Sequence, residues 1–334
     1  GTMNAISRRF DLKDRGEAAR DMIKKHRPGR FLYSIFRLLF LFSVSYIILF
    51  PLFYMISNSL KTADQVINPS VVWIPTSVTL ENFETAAKAM NYGHSFLVTV
   101  EVGVVCALLQ VAVCSFVAYG FARFKFKGNT LLFGLVMLTI IVPPQSIVIP
   151  SFINYSDMDF LGIVHLISLL SGKEIRLNLL NTPFVFYLPS LFGVGIRSGL
   201  FIFIYRQFFK GLPKELEEAA WIDGAGPFRT YFSIVIPLSG VAVLTVVIFS
   251  IVWHWNDYYL SSMYMSENFP LAVSLSQIRD GLQMTAGVGT GGNPVLVRNI
   301  LMAGCLMFIA PVLLMYLVLQ KWFIRGIETV GIVG

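Results

Sequence analysis

The chain has 334 residues, 55% of them apolar and only 13% charged, with a mean hydropathy of +0.69 and a net charge of +7. That balance is too apolar for a soluble core to hide, so lipid has to cover much of the surface. The basic excess is sorted by side of the membrane, as shown below, and this argues against a nucleic-acid binder.

Runs of about 20 apolar residues, enough to cross a hydrocarbon core of about 30 Å, recur along the sequence. They lie near Phe31–Ile56, Phe96–Phe121, Leu131–Phe152, Gly193–Phe209, Leu238–Leu260 and Ile300–Trp322. The expected fold is an all-α integral membrane protein of about six transmembrane helices. A basic tail, residues 1–30, precedes one transmembrane domain over 31–334. The first run follows a long polar stretch and ends in Phe50-Pro51-Leu52 without a small-residue cleavage site, so it reads as a retained span rather than a signal peptide.

Lys and Arg favour the cytoplasmic side of short loops. Nine precede the first span (Arg8, Arg9, Lys13, Arg15, Arg20, Lys24, Lys25, Arg27, Arg30), and Arg123, Lys125 and Lys127 follow the second. Arg206, Lys210, Lys214 and Arg229 lie at or after the inner end of the fourth, and Lys321 and Arg325 end the sixth. On the other side fall Lys61, Lys88, Lys173, Arg176, Arg197, Arg279 and Arg298. Eighteen against seven predicts a multi-pass protein of the cytoplasmic membrane with both termini inside.

The first outward segment contains an amphipathic stretch, Leu80–Ala87, that predicts a surface helix. The second, an outward insertion at about 155–192, carries its own apolar run, Phe160–Leu170, too short to span and expected to be interfacial or re-entrant. The third, Gly281–Pro294, is rich in glycine and predicts a flexible loop. It is not a phosphate cradle, because no G-x-x-x-x-G-K-[ST] pattern occurs. Cys106, Cys114 and Cys305 fall within spans and read as packing residues. His26, His94, His165 and His254 have no metal-like spacing, and no serine sits in a nucleophile elbow.

The cytoplasmic segment 212–237 differs in composition from its flanks. Pro213 suits the start of a helix, and Glu215, Glu217 and Glu218 complement the positive end of its dipole. Gly224 or Gly226 ends that helix and Pro227 opens a second. Leu216 and Ala220 share a face, while Ala219 and Gly224 keep the turn narrow enough for another backbone to approach. On these grounds the hairpin is either a docking knob or an amphipathic element lying on the membrane.

The order Glu218-Ala219-Ala220, three residues, Gly224, nine residues, then Ile234-Val235-Ile236-Pro237 resembles the EAA loop of binding-protein-dependent ABC importers, with Ile236 where that family usually has leucine. Leu180–Pro183, Arg206–Phe209, Trp255–Tyr258 and Gln320–Gly326 resemble the maltose-type second permease of the carbohydrate branch. The resemblance covers nearly all of the chain after about Phe31, and Val164–Leu179 looks inserted. It implies a type I importer permease fold. It also implies that Glu217, Glu218, Ala219, Ala220, Asp223, Gly224 and Pro237 belong to a coupling helix seated on an ATPase subunit. The implied partners are a homologous permease, two ATPase subunits holding ATP and Mg, and an extracytoplasmic sugar-binding protein, with no cofactor in this chain itself.

A sugar path needs aromatic platforms beside hydrogen-bonding groups. Trp253, Trp255, Asn256, Asp257 and Tyr258 offer both, and so does Gln145 after Pro143-Pro144, which should break the third span. Trp and Tyr also form ordinary interfacial belts, and Gln145 also suits backbone groups freed by the prolines. A glycosyltransferase-like membrane enzyme and an ion channel are the alternatives. The acidic cluster an enzyme needs occurs only at Glu215–Asp223, and the spans lack a channel's charged rings.

Overall fold

The computed structural model describes residues 28–68, 73–159, 162–172, 174, 176–286 and 294–331. Residues 1–27 of the basic tail and residues 287–293 of the expected glycine loop lie outside them. The described residues are helical apart from connections and one isolated antiparallel bridge between Lys61 and Val78. Contacts divide the chain into two units, residues 1–58 and 59–334.

The described part of the first unit is helical and belongs to α1, Pro28–Ser59, with Pro51 inside it. Phe36, Phe42 and Ile47 stand exposed along it, as expected of a helix whose surroundings are hydrocarbon.

In the second unit, α2 (Ala63–Ile67) and α3 (Glu81–Ala89) precede α4 (Tyr92–Arg123), which at 32 residues is about 48 Å long. Next come α5 (Asn129–Ile141), a 3₁₀ turn (Pro144–Ser146), α6 (Val148–Ser156), α7 (Ile163–Ser171), α8 (Phe184–Leu191) and α9 (Ser198–Gly211). Segment 212–237 holds α10 (Glu215–Ile222) and α11 (Pro227–Leu238). Then follow α12 (Gly240–Trp255), α13 (Tyr259–Tyr264), α14 (Leu271–Ser276), α15 (Ile278–Ala286) and α16 (Pro294–Gly331).

The core is arranged around α4, which packs against α8, α9, α12 and α14. Toward its C-terminal end Cys114, Ala118 and Tyr119 meet Phe201, Tyr205, Phe209, Tyr231 and Val246. Toward its N-terminal end Val98, Val102 and Cys106 meet Val148, Val185, Phe186 and Tyr264. A third cluster joins Ala86 and Met90 to Trp255, Leu271, Ile278, Leu282 and Ala303.

Among the described residues, three helices are long and apolar enough to cross a bilayer unaided: Tyr33–Ser59, Tyr92–Arg123 and Leu296–Trp322. The expected fifth span is α12, bent by 77° from α11. The expected third is divided between α5 and α6, because Pro143 and Pro144 withhold backbone donors and stop the helix. The expected fourth, Gly193–Phe209, is helical only from Ser198, in α9, and α8 precedes it. Gly193 and Arg197 take left-handed conformations, φ 71° and 59°, and set α8 apart from α9. The short apolar run of the second outward segment forms α7, with Leu169 and Leu170 exposed.

The expectation of a flexible loop from Gly281 is corrected over its first part, where α15 continues through Ala286. Gly281 is a packing glycine. A methyl group there would strike the carbonyl oxygen of Ala89, so its bare Cα lets α15 and α3 cross in backbone contact.

Candidate functional site

The acidic cluster of segment 212–237 lies in the opening turns of α10, where carboxylates favour the dipole. The helix closes in a Schellman turn: Ala225 N–H donates to Ala220 O at 2.9 Å and Gly224 N–H to Trp221 O at 3.1 Å, with Gly224 at φ 80°. Of the two glycines, Gly224 is thus the stop. Gly226 precedes α11 in extended conformation, and Pro227 occupies its first position.

α10 has two dissimilar faces. Glu218, Ala219, Asp223 and the side chains of Trp221 and Ile222 are exposed, Ile222 at 86%. Ala220 and Glu217 face inward, Glu217 only 4% exposed. The Glu217 carboxylate meets the Arg123 guanidinium with Nε to Oε1 at 2.6 Å. The Tyr119 hydroxyl donates to Glu217 Oε2 at 3.2 Å, and Arg123 Nη2 donates to the carbonyl of Leu212 at 2.9 Å.

Pro237 is exposed near the end of α11. Just before it, Tyr231–Val235 form a π-helical turn. A proline lacks the N–H of the regular ladder and crowds the carbonyl four residues back, and a wider turn relieves both. The Tyr231 hydroxyl reaches Ser115 Oγ at 2.7 Å, which holds this turn against α4.

The candidate path residues are not brought together. Gln145 is exposed in the 3₁₀ turn. Trp255 is 5% exposed, donates from Nε1 to Phe308 O at 3.1 Å and stacks edge-on with Phe96, so it bolts α12 to α16 and α4. Asp257 accepts from the backbone of Leu260 at 3.2 Å and of Ser261 at 2.9 Å, capping α13. Asn256 donates to Val252 O at 2.8 Å. Trp253 lies beneath the Arg197 guanidinium, 4.3 Å from its ring centre, and Tyr258 is half exposed.

A mainly apolar cavity of about 550 Å³ opens instead between α5, α8, α9 and α12, with Thr139, Arg197, Ser198, His254 and Tyr264 among its walls. Behind it runs a buried polar chain. Gln110 Nε2 donates to Ile196 O at 2.8 Å and to Ser198 Oγ at 3.0 Å, Ser250 Oγ donates to Gln110 Oε1 at 2.6 Å, and His254 Nδ1 lies 2.8 Å from Ser250 O. A lone glutamine inside an apolar run was the available signal, but its partners on α9 and α12 are distant in sequence. Among the described residues no three His, Cys, Asp or Glu side chains are grouped to hold a metal.

Among the described residues three helices are long and apolar enough for a membrane protein, and likeness to known proteins gives its class. Residues 110–329 match the model of the binding-protein-dependent transport system inner membrane component, and the chain belongs to that family. It is therefore an inner-membrane permease subunit of ATP-driven importers, a transport component rather than an enzyme. It is 30% identical over 319 residues to a probable ABC transporter permease, YurM, of Bacillus subtilis, covering 93% of each chain. It is 28% identical to the starch degradation products permease AmyC of Thermoanaerobacterium thermosulfurigenes, covering 83% of this chain and 89% of that one. With the arabinooligosaccharide permease AraQ of Halalkalibacterium halodurans it also shares 28%, covering 87% and 93%. Among solved structures, a bacterial ABC transporter that imports the acidic polysaccharide alginate superposes with a TM-score of 0.68 at 19% identity, over 89% of this chain and 99% of that chain.

Proposed function

We propose that this chain pairs with a homologous permease to carry a sugar or oligosaccharide inward by alternating access, driven by two ATPase subunits that hold ATP and Mg and fed by an extracytoplasmic binding protein. The observation that carries this reading is α10, a short helix whose exposed face presents Glu218, Ala219, Trp221, Ile222 and Asp223 while its other face is fastened to the chain's own core. Glu217 and Ala220 act from the inner face, holding the helix rather than touching the ATPase. Support for a carbohydrate comes from the relatives, which include importers of starch degradation products, of arabinooligosaccharides and of melibiose, raffinose and stachyose. Both termini lie in the cytoplasm, on the side of the ATPases, as the distribution of Lys and Arg requires.

The test is ATP hydrolysis by the complex in liposomes, with and without binding protein loaded from a mixture of malto-, arabino- and raffinose-type oligosaccharides. The parent is expected to be stimulated, and Glu218→Ala and Gly224→Asp to lose stimulation or release the ATPase subunits. Unaltered stimulation in both variants would remove α10 from the coupling path.

A further inference from the structure

On α4, Ser115, Tyr119 and Arg123 are spaced four residues apart and therefore share one face. That face meets the cytoplasmic segment at three places. Ser115 holds Tyr231 in the π-helical turn of α11, Tyr119 donates to Glu217, and Arg123 bridges Glu217 and the Leu212 carbonyl at the end of α9. The Arg123 and Glu217 side chains are 6% and 5% exposed. Glu217 is the one carboxylate of Glu215, Glu217, Glu218 and Asp223 that is buried.

Taking two charges out of water costs more than their attraction commonly returns, so a buried pair is a poor device for stability and a good one for fixing a geometry. Arginine suits the task, since it cannot shed its charge and its planar fork addresses two acceptors at once. At its other end α4 is fastened too. Ser95 Oγ lies 2.8 Å from Ser274 Oγ, and Thr99 Oγ1 accepts from Leu271 N–H at 2.8 Å, both in α14.

We propose that Arg123, supported by Tyr119, is a positioning residue that clamps α10 to α4, so that displacement of α10 by an ATPase subunit moves α4 as a rod and reaches α14 on the far side. The inference rests on the reading of α10 as the ATPase-docking helix and extends it to residues outside the EAA segment. Without the clamp, movement of α10 is taken up by flexing the 212–214 connection, and hydrolysis no longer answers to events at the outer face.

The experiment uses the assembled transporter in liposomes and compares the parent with Arg123→Lys, Tyr119→Phe and the apolar pair Arg123→Met/Glu217→Met. The readout is the ratio of ATP hydrolysis with oligosaccharide-loaded binding protein to hydrolysis without it, alongside retention of the ATPase subunits. The expected result is full retention with a ratio lowered roughly two- to thirtyfold, the range for substitutions along a coupling path, and lowered less by Arg123→Lys than by the methionine pair. A merely structural ion pair predicts otherwise: the methionine pair packs, assembles and keeps the parent ratio, and that outcome overturns the proposal. If the methionine pair does not assemble, Arg123→Lys and Tyr119→Phe, which keep the buried charges, decide by the same ratio. A parent that retains no ATPase subunit overturns the reading of α10 and the clamp with it.

Discussion

A methyl group at Gly281 would overlap the Ala89 carbonyl, and neither helix can yield without moving backbone. Gly281→Ala is therefore expected to destabilise the purified protein by about 1–3 kcal/mol, the usual cost of overpacking, seen as a lower Tm in detergent. Gly120→Ala is its control. Gly120 lies within α4 with open space around it, and alanine there is expected to be neutral or stabilising by up to about 1 kcal/mol. Equal losses at the two sites would contradict the close crossing of α3 and α15. Trp255 makes the same point about context. From its neighbours in the chain it belongs to a sugar path, whereas its indole is committed to Phe308 and to the core. Composition tells what a side chain is able to do, and packing decides which of its options is used.

The elements of the second unit are held to one another by polar ties as well as by apolar contact. Gln110 joins α4 to the turn before α9 and, through Ser250, to α12. Gln110→Leu would leave the Ser198 and Ser250 hydroxyls and the Ile196 carbonyl without this partner inside the protein. The expected loss is about 1–3 kcal/mol per group left unsatisfied, and it should show as reduced thermal stability in detergent with the helix content unchanged. A stable variant would mean that water or a side-chain shift replaces the amide. The cytoplasmic segment is built on the opposite principle, with local signals that agree. Pro213 precedes α10, carboxylates occupy its opening turns, Gly224 closes it and Pro227 starts α11, so its helices follow from short-range chemistry alone. The π-helical turn before Pro237 is held against α4 by the Tyr231–Ser115 contact.

For the whole molecule the decisive expectation is orientation. Single cysteines at Lys88 and Lys214, both on exposed positions, report opposite sides of the membrane. A membrane-impermeant maleimide is expected to label Lys88→Cys in intact cells, and Lys214→Cys only after the membrane is opened. Cys106 and Cys114 are buried and Cys305 half-buried, which keeps the background low. The reverse labelling would invert the topology and move α10 away from any cytoplasmic ATPase. The sequence by itself determined the helical membrane class, the lopsided distribution of Lys and Arg, and the helix–turn–helix of segment 212–237. Each of these rests on a quantity summed along neighbouring residues: apolar length, basic count, or cap and dipole chemistry. Only the tertiary structure decided that the third apolar run is shared between two shorter helices and the fourth is helical only from Ser198, that Glu217 turns inward to Arg123, and that Trp255 and Asp257 serve packing and capping. These outcomes depend on partners distant in the chain, Glu217 on Tyr119 and Trp255 on Phe96, and no local pattern says which distant side chain will arrive beside a given one, because that is settled by the whole set of helix contacts at once.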